Sequence, residues 1–234
     1  MQSIEKKVRS DTLHFNDIPV LKYTIEYPSF RSTCNQRAVD IINEYYTSLA
    51  KRKEQYCRQF LYPQAVETAR YIQENTPPFN YYEFYMTYKI TWNKGCITSL
   101  YIDEYTYLGG AHGSTIRTSD TWDFSAGRRL YLKNLYPKEP MLKDKVQKTI
   151  EGQIIEQLKT SPQSYFDDYA KLVAKTLNLN SFYLTQDGVV LYFQQYDIAP
   201  YAAGFPEFSF GITDIDTYPG GDIIKEVTIQ NTLE

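Results

Sequence analysis

The chain has 234 residues, of which 42% are hydrophobic and 23% charged, and its formal net charge is −3. That is ample apolar material for one large domain or two small ones. A weak acidic balance without any block of lysine or arginine gives no electrostatic footprint for nucleic acid or for an anionic membrane surface.

The first residues, Met1-Gln2-Ser3-Ile4-Glu5-Lys6-Lys7, cluster charge with no apolar run behind them, so no signal peptide is read here. As it stands the chain reads as cytoplasmic, or as one from which a leader was removed. Residues 19–27 alternate Leu21, Tyr23, Ile25 and Tyr27 with Lys22, Thr24 and Glu26, which predicts a half-buried strand ended by Pro28-Ser29. From about residue 33 the period becomes helical. Ala38, Ile41, Ile42, Tyr45, Tyr46 and Leu49 form one stripe of a helix running to about residue 60. Pro63 suits the first position of a second helical segment, which Pro77-Pro78 stops.

Residues 81–92 alternate again, Asn93-Lys94-Gly95 predicts a hairpin turn, and residues 96–108 return as the partner strand. Residues 114–124 read as a third strand, turned at Ser125-Ala126-Gly127 into a fourth near 129–132. The loop at 134–140 is the boundary expected between two halves, 1–133 and 134–234. Beyond it, Leu142, Val146, Ile150, Ile154, Ile155 and Leu158 predict a helix, and Phe166, Tyr169, Leu172 and Val173 a second one. A hairpin follows at 182–195, then a strand at 207–212 and a break at Pro219-Gly220-Gly221. Helices and antiparallel strands in each half predict an α+β fold, with helices packed on one side of antiparallel sheets and the two halves intimately joined.

Tyrosine is the unusual residue, with 23 copies against 2 tryptophans. It fits half-buried sheet surfaces, which accounts for most copies, and it also builds contact surfaces for protein or sugar. Cys34, Cys57 and Cys96 have no C-x-x-C spacing, so neither zinc nor a redox pair is indicated. An odd set of three fits a reducing compartment better than an oxidising one.

The chain offers little to a catalytic reading. The two histidines, His14 and His112, lack further metal ligands at suitable spacing, so no metal and no cofactor are expected. His112 among glycines lacks the G-x-S-x-G turn an esterase needs. Asp103-Glu104 and Asp167-Asp168 are read as solvated pairs. The informative segments are two strand-end loops, Tyr107-Leu108-Gly109-Gly110-Ala111-His112-Gly113 and Tyr196-Asp197-Ile198-Ala199-Pro200-Tyr201-Ala202-Ala203-Gly204. Each sets small residues, which leave the backbone approachable, beside tyrosine.

The first loop with the following Arg129-Leu130-Tyr131-Leu132-Lys133-Asn134-Leu135-Tyr136, and the second loop with the preceding Phe182-Tyr183-Leu184-Thr185-Gln186-Asp187-Gly188, carry a resemblance. From about residue 19 to 212 the chain resembles the sensor domain of RsiV-type anti-sigma factors, also found as the non-catalytic module of PdaC-type peptidoglycan deacetylases. The resemblance implies a non-catalytic binding module outside the membrane, with a lysozyme-like protein or a peptidoglycan fragment as partner. Tyr107, Gly109, Gly110, His112, Tyr196, Pro200 and Tyr201 are the ligand-binding residues expected, and no catalytic residue is. The alternatives are a polysaccharide-acting enzyme using His112 and Glu104, and a self-associating scaffold. Nothing in the residues sets the oligomeric state.

Overall fold

The computed structural model describes residues 1–75, 79–136 and 140–210. The fold is α+β, with a six-stranded sheet and a three-stranded sheet, the strands of each lying side by side in chain order. The described residues form two compact units. The first holds 1–89, 102–117 and 124–127; the second holds 90–101, 118–123 and the described residues from 128 onward. The long strands β3 (Tyr82–Lys94), β4 (Ile97–Tyr107) and β5 (Ser114–Asp123) supply residues to both.

The first unit opens with a strand absent from the sequence reading. β1 (Ser3–Phe15) pairs antiparallel with β2 (Ile18–Arg31) along its whole length. Asn16 and Asp17 make the two-residue turn, both with positive φ (48° and 62°), as the twist of a tight hairpin requires. β1 ends the sheet order and carries Glu5, Lys6, Lys7, Arg9 and Asp11. Charge protects an edge strand from pairing with other chains, and it also hides the alternation that would have announced the strand.

β2 does not stop at Pro28. Its parallel pairing with β3 covers only Leu21 to Ile25, so at Pro28 the strand has a neighbour on the β1 side alone and the missing N–H costs nothing. Beyond that point a side chain takes over. Asn43 Oδ1 accepts from Phe30 N at 2.8 Å, and its Nδ2 donates to Phe30 O at 3.0 Å.

β2 and β3 are parallel because a long helical crossover joins them. Asn35 caps α1 (Gln36–Tyr56), accepting from Arg37 N and Ala38 N at 3.0 and 3.3 Å. α1 runs without a break through a π-helical turn, Cys57–Leu61, into α2 (Tyr62–Asn75). Pro63 is therefore the second residue of α2. A proline ring clashes with the carbonyl four residues back, and the wider turn just before it makes room. Ala38, Val39, Ile42, Tyr46 and Ala50 face the core, but Ile41, expected in that stripe, is half exposed. Tyr23 Oη donates to Glu54 at 3.0 Å; burial, with Glu54 beside it, pushes this phenol up to about 12. The expected stop at Pro77-Pro78 lies outside the described residues.

In the second unit β6 (Arg128–Leu130) is shorter than expected, because the chain turns at Tyr131 into a short helix α3 (Leu132–Leu135). Leu142, Val146, Ile150 and Ile154 of α4 (Leu142–Thr160) and Val173 of α5 (Tyr169–Thr176) enter one core with Phe182, Leu184, Leu191, Phe208 and Phe210. Ile155 points to solvent instead. β7 (Phe182–Thr185), β8 (Gly188–Tyr192) and β9 (Glu207–Phe210) pair antiparallel in sequence order. Their opposite face is built from Tyr183, Val190 and Tyr192 with Tyr101 against them. Residues 211 and 212 and the break at 219–221 lie outside the described residues.

Cys34 and Cys96 are disulfide-bonded, and Cys57 is free and fully buried. Of the odd set of three, the cysteine left free is thus Cys57. A disulfide needs proximity in the fold, and cysteine spacing along the chain does not reveal it. Burial pushes the Cys57 thiol up to about 12, so it is an inert core residue.

Candidate functional site

The first glycine loop, residues 108–113, joins β4 to β5 in the first unit. Its three glycines have different reasons. Gly109 sits at φ +80°, and a Cβ there would lie 3.2 Å from Asn80 O. Gly113 is covered by the Tyr105 ring, which would meet a Cβ at 2.3 Å. Gly110 faces open space and is exposed. Tyr105 in turn stacks on Tyr85 with centroids 6.2 Å apart. Tyr107 is half-buried, and His112 is exposed, its Nδ1–H donating to Gly113 O at 2.9 Å.

The carboxylates below this loop are not solvated as expected. Arg117, buried on β5, donates from Nε and Nη2 to both oxygens of Asp103 at 2.7 Å each. Glu104 accepts from Lys53 of α1 at 2.5 Å. Successive residues of a strand point to opposite faces, and here each face supplies a cation. Both acids are thus engaged in charge-assisted bonds. Asp167 and Asp168, by contrast, are exposed just before α5.

The second loop belongs to the second unit and is built the other way round. Ile198 and Ala199 are 0% and 1% exposed and lie in the core, and Ile198 O accepts from Phe166 N at 3.1 Å. Phe193 N donates to Pro206 O at 3.0 Å, tying the two stems of the loop together. Gln194 N donates to Asp197 Oδ2 at 2.8 Å, and burial raises that carboxyl against the lowering effect of the bond. Between these anchors Tyr196 has φ +66°, the left-handed region a bulky side chain rarely adopts. The residue is 55% exposed, and its ring lies 5.8 Å from the Tyr201 ring at an angle of 33°. Pro200 is half-buried, and it leads into the 3-10 turn Tyr201–Ala203, whose Ala202 and Ala203 are exposed. Gly204 closes the turn, its N–H donating to Tyr201 O at 3.0 Å.

The structure therefore brings Tyr107, Gly109, Gly110 and His112 together in one unit, and Tyr196, Pro200 and Tyr201 in the other. The conformation of Tyr196 was not readable, because no residue pattern announces a left-handed tyrosine. Among the described residues no group of His, Cys, Asp and Glu is arranged to hold a metal ion, and no described helix is long and apolar enough to cross a membrane.

Comparison with known proteins places these features in context. Residues 16–115 match the family described as "Deacetylase PdaC", and residues 133–212 match the family "Protein of unknown function (DUF3298)". Peptidoglycan-N-acetylmuramic acid deacetylase PdaC of Bacillus subtilis (strain 168) is 27% identical over 210 residues, which cover 85% of this chain. The chain spans only 40% of the length of that relative. Together the matches support a PdaC-type module. The crystal structure of a DUF3298-family protein from Bacteroides fragilis NCTC 9343 superposes with TM-score 0.76 at 18% identity, over 97% of this chain and 98% of that one. A DUF3298-family protein from Pseudomonas aeruginosa PAO1 gives TM-score 0.59 at 15% identity, over 94% and 97%. These two likenesses establish the fold.

Proposed function

We propose that the chain is a non-catalytic binding module of the bacterial cell envelope that recognises a cell-wall glycan. The observation that carries this reading is the second loop: a buried Ile198-Ala199 anchor holds two tyrosines and two alanines at the surface. The peptidoglycan named for the Bacillus subtilis relative supplies the ligand class. The ion pairs of Asp103 and Glu104 argue against the hydrolase alternative, since Glu104 would need release from Lys53 to act with His112. Disulfide-bonded Cys34 and Cys96 favour an oxidising, extracytoplasmic setting. The two family matches, at 16–115 and 133–212, support reading the sequence as two halves, 1–133 and 134–234, with 90–101 and 118–123 lent by the first to the second compact unit. Tyr107, Gly109, Gly110 and His112 remain candidate contacts of the first, and Tyr196, Pro200 and Tyr201 of the second.

A second reading, a lysozyme-like protein as ligand, is favoured by the resemblance to the anti-sigma sensor and by the acidic net charge of −3. Co-sedimentation of the full chain with purified peptidoglycan sacculi tests the first reading, and titration with hen egg-white lysozyme tests the second. Sedimentation with sacculi and no release of acetate from them is the expected result. Acetate release or chain cleavage would make the protein an enzyme.

A further inference from the structure

Resting on that envelope-binding reading, we propose that Tyr196, with Tyr201 beside it, is a stacking platform for one uncharged pyranose ring of a glycan chain. Three independent observations meet at this point. The first is conformational. A tyrosine at φ +66° costs free energy that a glycine there would not, and such strain persists only where the surroundings enforce it. They do enforce it: Gln194 and Asp197 bond across Tyr196 by both main chain and side chain, and Ile198 and Ala199 are locked in the core. The strain does not serve burial of Tyr196, which is more than half exposed.

The second observation is ring geometry. The Tyr196 and Tyr201 rings lie 5.8 Å apart, tilted by 33° and not closed into a sandwich, and Tyr196 is 55% exposed as a residue, which leaves surface for a ligand. The apolar C–H face of a pyranose complements an aromatic π face, while hydroxyl groups at the sugar's edge meet the Tyr196 phenol oxygen beside the exposed Ala202 and Ala203.

The third is charge. Between Lys175 and Glu207 the only charged residues are Asp187 and Asp197, and burial raises the carboxyl of Asp197, opposing its ionisation. A protein partner is steered and kept in register by a charged rim. This segment supplies almost none, which fits a neutral sugar better.

The test uses the full chain and N-acetylchitotetraose, followed by calorimetry, with sacculi and lysozyme in parallel. Tyr196→Gly removes the ring and relieves the backbone, so it separates binding from folding. It is expected to weaken tetraose binding about tenfold or more without lowering the melting midpoint. Tyr196→Phe keeps the ring face and is expected to bind within about threefold of the parent. Equal tetraose affinity in Tyr196→Gly and parent overturns the platform. So does a parent that sediments with sacculi but ignores the tetraose, an outcome that leaves the broader envelope-binding reading standing. Loss of lysozyme binding alone in Tyr196→Gly overturns it in favour of a protein contact. A parent that binds neither sacculi nor lysozyme removes the broader reading and the platform with it.

Discussion

The two tyrosine-and-glycine loops look alike in sequence and are opposites in structure. In the 108–113 loop the small residues and the rings serve each other: Tyr105 covers Gly113, and Gly109 fits against Asn80. In the second loop the burial is done by Ile198 and Ala199, while Tyr196 and the alanines stay at the surface. Similar composition thus supports packing in one place and display in the other. What separates them is the identity of the neighbours in space, which the composition of a loop does not record.

The sharpest way to break this contrast is to attack what lies under the first loop. Asp103→Ala leaves the Arg117 guanidinium buried without its carboxylate and should cost about 3 kcal/mol in urea unfolding. Replacing both partners with Leu and Met should recover most of it. A double variant as unstable as the single one would show that the pair does not act as a unit. Next comes Gly113→Ala, whose Cβ forces Tyr105 off its place and off Tyr85, at about 1–3 kcal/mol. Combining it with Tyr105→Ala should reduce that increment, and an undiminished cost would mean that Tyr105 is not the obstacle. His112→Ala should lose one turn hydrogen bond, at most about 1 kcal/mol, and leave ligand binding measurable.

The second loop should behave differently. Tyr196→Gly is expected to stay within about 1 kcal/mol of the parent, because relief of the left-handed conformation offsets the added freedom of the unfolded chain. A drop of several kcal/mol would make Tyr196 a structural residue like Tyr105. The smallest effect is in pH dependence. Burial raises the Asp197 carboxyl in the folded state, so above the ordinary carboxylate pKa the native chain holds more protons than the unfolded one. Stability contributed by this group therefore falls as pH rises through that window. Asp197→Asn should flatten the decline between acid and neutral pH in urea midpoints. An unchanged slope would indicate that Asp197 is better solvated than its position implies.

Much of the fold was legible where period and punctuation agreed. The β3–β4 hairpin followed from strict alternation around Asn93-Lys94-Gly95, although Gly95-Cys96 are the turn residues. The core face of α4 followed from its helical spacing. β1 was not legible, since a charged edge strand suppresses the very alternation that identifies strands. Nor was the continuation of β2 past Pro28, which depends on where β3 stops pairing. Both loops could be singled out, yet the separate demands on Gly109 and Gly113 depend on Asn80 and Tyr105, residues that only the fold brings close.

The π turn at Cys57–Leu61 has a consequence for how this crossover can vary. Core-facing residues recur at Ala38, Ile42, Tyr46 and Ala50, and again at Cys57, Leu61, Ala65 and Ala69, in steps of four. A helix with 3.6 residues per turn precesses by about 40° at each such step, so a uniform helix would carry its inner face progressively off the sheet. A turn that holds an extra residue winds that precession back, acting as a leap day does in a calendar. Deleting one residue from 57–61 would restore regular helix and leave Ala65 and Ala69 on the core side, whereas a deletion in α1 or α2 would rotate everything downstream by about 100° and bring them out of it. The crossover can therefore change its count by one at this turn far more readily than anywhere else along it.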